Sequence, residues 1–337
     1  MSAAAATMKA RRFSGLRELA LLPVIVLVFV IASIFVPFFL STENIVNNIF
    51  ASAAVLGILV IAQSIILIGG NFDLSMQSVV GLAPMVAAWL TVPTQYGGLG
   101  TEIGGFGALV VIFAVGGIVG LVNGLLVGCL RLNAFIVTLA QLILLQGFTL
   151  GISSGQTFSR LPVTMTFLGD VKLFGATLDV WVLIAAFAAA AVFMQYHPTG
   201  RRIYALGGNP QAARAAGIKT LRLTIGLFVF AGLMASLAGL ALSARIASVT
   251  ASQGSNIVFT VFAAAVIGGV SLEGGRGTIL GAASGVLLLS MIQNILVLSN
   301  IPSFWIDATY GAIILGALLL GSEDLRGFAR NTLRAGG

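Results

Sequence analysis

The chain has 337 residues, 58% of them hydrophobic and only 8% charged, with a mean hydropathy of +1.09 and a net charge of +7. That is more apolar than a soluble core of this size requires, and the apolar residues fall in runs long enough to cross a bilayer. The basic excess sits at the ends of those runs rather than in one stripe, which points to membrane topology and not to nucleic acid. A single cysteine, Cys129, and a single histidine, His197, rule out an intrachain disulfide, a cysteine metal cluster and a multi-histidine site.

A helical crossing takes about 20 apolar residues. The sequence therefore predicts an all-α polytopic membrane protein with about ten transmembrane helices, at 19–40, 45–68, 76–92, 105–130, 134–151, 178–196, 221–243, 257–270, 278–299 and 307–321. Residues 9–17 are basic and the first apolar run lacks a small-residue cleavage site, so the N-terminus reads as a retained helix that starts in the cytoplasm. Ten crossings put both termini inside, with 1–18 and 322–337 as cytoplasmic tails around a transmembrane domain of 19–321. All but three of the 17 Lys and Arg residues, Arg160, Lys172 and Arg245, then lie on the cytoplasmic side. The segments 76–92, which contains Pro84, and 257–270, which is short, are expected to be broken or re-entrant.

The first polar break, Ile68-Gly69-Gly70-Asn71-Phe72-Asp73-Leu74-Ser75, separates two apolar segments. Its small and polar residues favour a capped helix start near the cytoplasmic surface, the alternative for Asp73 being a proton or cation relay. In the fourth span Gly116, Gly120, Gly124 and Gly128 recur every four residues, which lines them on one helix face and lets another backbone approach; Asn123 adjoins that face. Arg131, Leu132 and Asn133 make a tight cytoplasmic turn before the fifth span, whose Thr138, Gln141 and Gln146 should face the bundle interior. Residues 152–178 form the longest external segment, too short for a stable domain and suited to meeting an extracytoplasmic partner.

The longest polar interval is the loop 197–220, which carries Arg201, Arg202, Arg214 and Lys219, with Arg222 just beyond. Pro198 and Gly200 are expected to end the preceding helix and Gly207-Gly208 to make a flexible corner. Asn209-Pro210 reads as an N-cap with proline at the first helical position, Ala212 to Ala216 continue as a short helix, and Gly217 stops it in the left-handed conformation. Such a surface helix faces either something in the cytoplasm or lipid headgroups, and composition leaves both readings open. A second break, Ile267-Gly268-Gly269 through Glu273 to Gly277, echoes the first and raises an internal duplication; Glu273 and Arg276 are placed to pair within it. Gly277, Gly281 and Gly285 continue at four-residue spacing into the ninth span, where Gln293 and Asn294 are polar.

No GxxxxGK[ST] or HExxH occurs, and no catalytic residue, metal site or phosphate loop is predicted. Acids within the membrane are few, chiefly Asp73. These features favour a pore-forming subunit driven from outside the chain over an enzyme or a self-contained carrier.

Four stretches carry a family resemblance. LIGGNFDLSMQSVVGL looks like the GGxDLSVGSV element of the ribose-type ABC-transporter permeases. LVNGLLVGCLRLNAFIVTLA is similar to their NGxLVxxLRIPPFIATLG segment, YHPTGRRIYALGGNPQAARAAGI to their FGRxxYAIGGNxxAARLSGI loop, and AVIGGVSLEGGRGTILGAASG to their glycine-rich stretch. Two departures stand out: Asn133-Ala134 where the family usually has two prolines, and Phe72 as an extra residue in the first break.

The resemblance implies that 19–321 is the permease domain of a bacterial inner-membrane importer, usually for a monosaccharide such as a ribose-like pentose or a hexose. It further implies a second permease subunit, identical or different, a periplasmic sugar-binding protein outside, and a cytoplasmic ABC ATPase that binds the ATP, with no cofactor held in this chain. The loop 197–220 would be the coupling element, with docking to the ATPase expected at Gly207, Gly208, Asn209, Pro210, Ala213 and Gly217. A sparsely polar translocation path is expected from Asn71, Gln141 and Asn294, and helix packing from Gly116, Gly120, Gly124 and Gly128. The alternative is a stand-alone, ion-coupled sugar carrier using Asp73. Lipid is a partner in either case and nucleic acid in neither.

Overall fold

The computed structural model describes residues 21–321, so the two expected tails lie outside the described residues. In chain order the helices are α1 (Leu22–Phe35), a π-helical lead-in (Asn44–Phe50) that runs into α2 (Ala51–Ile68), α3 (Met76–Thr91), α4 (Gly104–Gly128), α5 (Ala134–Ser153), α6 (Val163–Asp170), α7 (Leu178–Tyr196), α8 (Pro198–Gly208), α9 (Pro210–Ala215), α10 (Thr220–Ile246), α11 (Ile257–Ile267), α12 (Ile279–Leu298) and α13 (Ser303–Gly321). A two-residue-per-strand antiparallel hairpin, β1 (Lys172–Leu173) and β2 (Ala176–Thr177), precedes α7. The chain is an all-α polytopic membrane protein. Among the described residues, each predicted apolar segment is helical, and six helices are long and apolar enough to cross a bilayer: Asn44–Ile68, α4, α5, α7, α10 and α12. The helices α1, α3 and α11 are apolar but shorter.

The centre of the fold is α2, wrapped by α7, α10, α11 and α12. Every α2 residue except Ser52 is buried by the protein itself. Lipid is as apolar as leucine, so burial of this kind comes from close packing rather than from exclusion of water. The closest packing joins α4 to α10. A Cβ on Gly116 would fall on Gly232 O, one on Gly120 on Phe228 O, and one on Gly124 would stand 2.8 Å from Ile225 Cα. Ser236 Oγ donates to Ile112 O across the same seam at 2.9 Å. At the end of the stripe, Gly128 faces the tip of the Leu221 side chain.

Two stretches expected to be irregular are ordered. Pro198 begins a helix instead of keeping 197–208 a loop, because proline at the first helical position loses no hydrogen bond and its φ is already helical. His197 caps that helix, its Nδ1 accepting from Thr199 N–H, while its ring stacks on Phe193 at 4.9 Å. Within residues 152–178, the segment expected to lie outside, α6 packs against α10, where a Cβ on Gly169 would meet the Ala244 carbonyl. Helix α13 begins at Ser303, which puts Trp305 on an exposed helical turn.

Candidate functional site

The two glycine-rich breaks fold alike. At the end of α2, Gly70 N–H bonds Leu67 O at 2.8 Å and Asn71 N–H bonds Ile66 O at 3.1 Å. At the end of α11, Gly269 N–H bonds Val266 O at 2.9 Å and Val270 N–H bonds Ala265 O at 3.0 Å. Each is a Schellman cap, which requires a left-handed residue just past the helix; Gly70 (φ 75°) and Gly269 (φ 85°) supply it.

Both breaks meet α8. Gly207, in its last turn, lies so close to the end of α2 that a Cβ would fall on Ile68 O and stand 2.7 Å from Gly275 N. The same Ile68 carbonyl accepts from Gly275 N–H at 2.8 Å, which ties the two breaks to each other. Gly274 approaches Gly70 and Gly207, Gly275 approaches Gly208, and Tyr204 OH donates to Gly277 O at 2.8 Å. Five glycines thus allow three backbone segments, far apart in sequence, to touch without side chains between them. The second break is closed by main-chain bonds, Ser271 N–H to Arg276 O, and Ser271 Oγ accepts from Glu273 N–H. The Glu273–Arg276 pair expected there is not among the ion pairs of the described residues; both side chains are exposed.

Beyond the junction the chain turns outward. Asn209 caps α9, its Oδ1 accepting from Gln211 N–H at 3.0 Å and Ala212 N–H at 2.9 Å, with Pro210 at the first position and Gly217 (φ 79°) after the last turn. The expected docking residues therefore divide. Gly208, Asn209, Pro210 and Gly217 are exposed, whereas Ala213 is buried and Gly207 is spent on the junction. Arg201, Arg202, Arg214, Lys219 and Arg222 are exposed around this helix pair and give it a positive rim.

Asp73 lies in the first break, between α2 and α3, and is 1% exposed. Its Oδ1 accepts from Ser75 N–H at 2.9 Å and Ser75 Oγ at 2.6 Å, and Ser75 Oγ accepts from Asn123 Nδ2 on α4 at 2.8 Å. Burial pushes its carboxyl up to about 6 against the pull of the Ser75 bonds. The geometry is that of a carboxyl holding the start of α3 onto α4. The additional residue Phe72 fills the space beside it, stacked on Phe262 of α11 at 6.0 Å and edge-on to Phe135 of α5 at 6.4 Å. Asn133, which replaces a proline of the family pattern, caps α5 through Phe135 N–H and Ile136 N–H.

The three residues expected on the path stand apart, with no hydrogen bond joining any two of them. Asn71 folds onto its own turn, donating to Gly69 O at 3.1 Å. Gln141 is half-buried on α5. Asn294 closes a reciprocal amide pair with Asn44, at 2.9 and 2.7 Å, deep between α12 and the lead-in to α2. The polar side chains that do gather are Gln77, Ser78, Gln146, Thr149, Gln253 and Ser255, around one small cavity. Only Gln146 among them stood out in the sequence. For Gln253 the signal was Pro84, which leaves the Val80 carbonyl four residues earlier without its helical donor.

Residues 45–322 match the family described as branched-chain amino acid transport system / permease component. The chain is 35% identical over 273 residues to the autoinducer 2 import system permease protein LsrC of Yersinia enterocolitica, covering 80% of this chain and 73% of that protein. It is 31% identical over 317 residues to the ribose import permease protein RbsC of Escherichia coli, covering 91% of this chain and 94% of that one. No solved structure matches it.

Proposed function

This chain belongs to the ribose-type family of sugar ABC-transporter permeases, and from that premise we propose that it is the membrane subunit of a binding-protein-dependent importer of a monosaccharide. It works in the bacterial inner membrane, crosses it ten times with both termini in the cytoplasm, and pairs with a second permease around the path. A separate ATPase subunit binds and hydrolyses the ATP, and a periplasmic protein delivers the sugar. The autoinducer 2 and ribose relatives support this substrate class.

The observation that carries the mechanism is the junction at Gly207. A force applied to the exposed tip Gly208, Asn209, Pro210 and Gly217 reaches the ends of α2 and α11 through direct backbone contact. Contacts between backbones deform little, so α8, α2 and α11 move as one lever. The α4–α10 glycine seam then carries the motion on toward α3. Sugar need only bind one end state better than the other for the cycle to be directional once ATP drives it.

Gly208 is the position for the test, since a Cβ there meets nothing within 4 Å. Gly208→Trp leaves the protein folded and in the membrane but lowers sugar uptake at least about tenfold while ATP hydrolysis continues, because only the docking surface changes. Normal uptake with normal coupling removes the docking assignment. The rival, a lone carrier working through Asp73, predicts that the purified chain in vesicles with an ion gradient accumulates sugar; the present reading predicts none.

A further inference from the structure

The connection between α10 and α11 does not stay at the end of the bundle. Gln253 reaches back to Gly239, seven residues before the end of α10, so the segment folds down along that helix by about 10 Å at 1.5 Å per residue. Its Nε2 donates to Gly239 O at 3.2 Å, to Ser243 Oγ at 2.9 Å and to Val80 O at 3.1 Å. Val80 O is the carbonyl that Pro84 deprives of its helical donor, four residues on, so the Gln253 amide completes a bond that α3 cannot make for itself. On the other side of the segment, Gln77 Oε1 accepts from Val258 N–H at 3.4 Å at the start of α11.

The arrangement is closed but not satisfied. Gln253 is 8% exposed, and its Oε1 is buried with no partner. The cavity it faces holds about 10 Å³, room for one water and none for a sugar. Its lining has no charged side chain. An amino-acid substrate, carrying a carboxylate and an ammonium, would find nothing here to replace its hydration, whereas neutral hydroxyls match amides and free carbonyls.

We propose that residues 250–256 are the extracytoplasmic gate of the path, latched by Gln253. When the segment withdraws, hydroxyls of the passing monosaccharide take over the acceptors Val80 O, Gly239 O and Ser243 Oγ, and Gln77 and Gln146 bind it from the opposite wall. The latch and the sugar compete for the same acceptors, so sugar favours the open state by binding there alone. The proposal rests on the sugar-permease reading for its substrate, but the latch itself is testable without any substrate.

The test uses the full chain in Cys129→Ser background, expressed with its own ATPase and binding protein, and carries Thr149→Cys, at a position buried in the cavity wall, as a reporter for a membrane-impermeant maleimide added from outside. Gln253→Leu, which keeps the size and removes both donor and acceptor, increases the rate of labelling at least about fivefold, on the scale of one lost hydrogen bond. Gln253→Met serves if the leucine variant fails to reach the membrane. Equal labelling with and without the glutamine overturns the latch. In the second arm, uptake of labelled ribose by Gln146→Leu shows a KM raised about tenfold at unchanged membrane abundance and unchanged labelling of the reporter. An unchanged KM overturns the hydroxyl-binding wall. Absence of ribose uptake in the parent overturns ribose as the substrate, and the KM arm is then read with the monosaccharide that the parent does take up; absence of uptake of any monosaccharide overturns the wall, while the labelling arm still decides the latch.

Discussion

The first and second glycine-rich breaks share one backbone cap and use it for opposite ends. In the first, the chain leaving Gly70 turns inward and buries Asp73 against Ser75 and Asn123. In the second, the chain leaving Gly269 keeps Glu273 and Arg276 in water and presents Gly274 and Gly275 as bare backbone to α8. A Schellman cap fixes how a helix ends, not what the next residues do. The first break is thereby an anchor for α3, and the second is a bearing surface for α8.

If that contrast is right, the largest effect belongs to the residue both breaks share. Gly207→Val places side-chain atoms on Ile68 O and Gly275 N, two backbones that cannot step aside separately. A loss of about 3 kcal/mol or more is expected, with transport falling below detection. The measurement is thermal unfolding in detergent beside sugar uptake in cells. Gly208→Ala, one residue on and facing open space, should leave the unfolding temperature where it was, and a matching loss there would show that no tight junction exists.

The next contrast is between the two carboxylates. The folded-state value for Asp73, about 6, lies above its ordinary 3.8, so between those limits the folded protein holds a proton that the unfolded chain releases. Stability attributable to Asp73 is greatest below about pH 4, falls as pH rises to about 6 and is flat above, by a total of about 3 kcal/mol. Asp73→Asn keeps an oxygen for the Ser75 donors and should abolish this slope and raise the unfolding temperature at neutral pH. Glu273→Gln in the exposed turn should alter stability by less than about 0.5 kcal/mol. A pH slope surviving in Asp73→Asn would place the titrating group elsewhere.

Much of this was legible in the residues. Hydrocarbon demands long apolar runs, so the helical segments could be located to within a few residues, and Asn209-Pro210 and Gly217 marked the ends of α9 because caps act locally. What could not be read was which distant segments meet. The partner of Asn294 is Asn44, 250 positions away, a pairing that nothing near either residue announces. Pro198 and Gly200 read as breakers, although proline at a first position starts a helix as readily as it stops one. Nothing local in residues 247–256 records that Pro84, in another helix, has left a carbonyl for Gln253 to satisfy. The two breaks invited comparison by their Ile-Gly-Gly, but their convergence on α8 is a property of the packed backbone.

The finest discrimination is between the two capping glycines themselves. Alanine at either must hold a positive φ, which costs about 1 kcal/mol for a residue with a Cβ. At Gly269 that is the whole expected effect, because a Cβ there meets nothing within 4 Å. At Gly70 the Cβ also stands 3.2 Å from Gly207 Cα, so α8 must give way by a few tenths of an ångström and the cost rises toward about 2 kcal/mol. Gly70→Ala should therefore lower the unfolding temperature more than Gly269→Ala, and only the former should also slow uptake, since only it moves the lever. Equal shifts would mean that the first break touches α8 no more closely than the second cap does, and the asymmetry between anchor and bearing would then have to lie in the side chains alone.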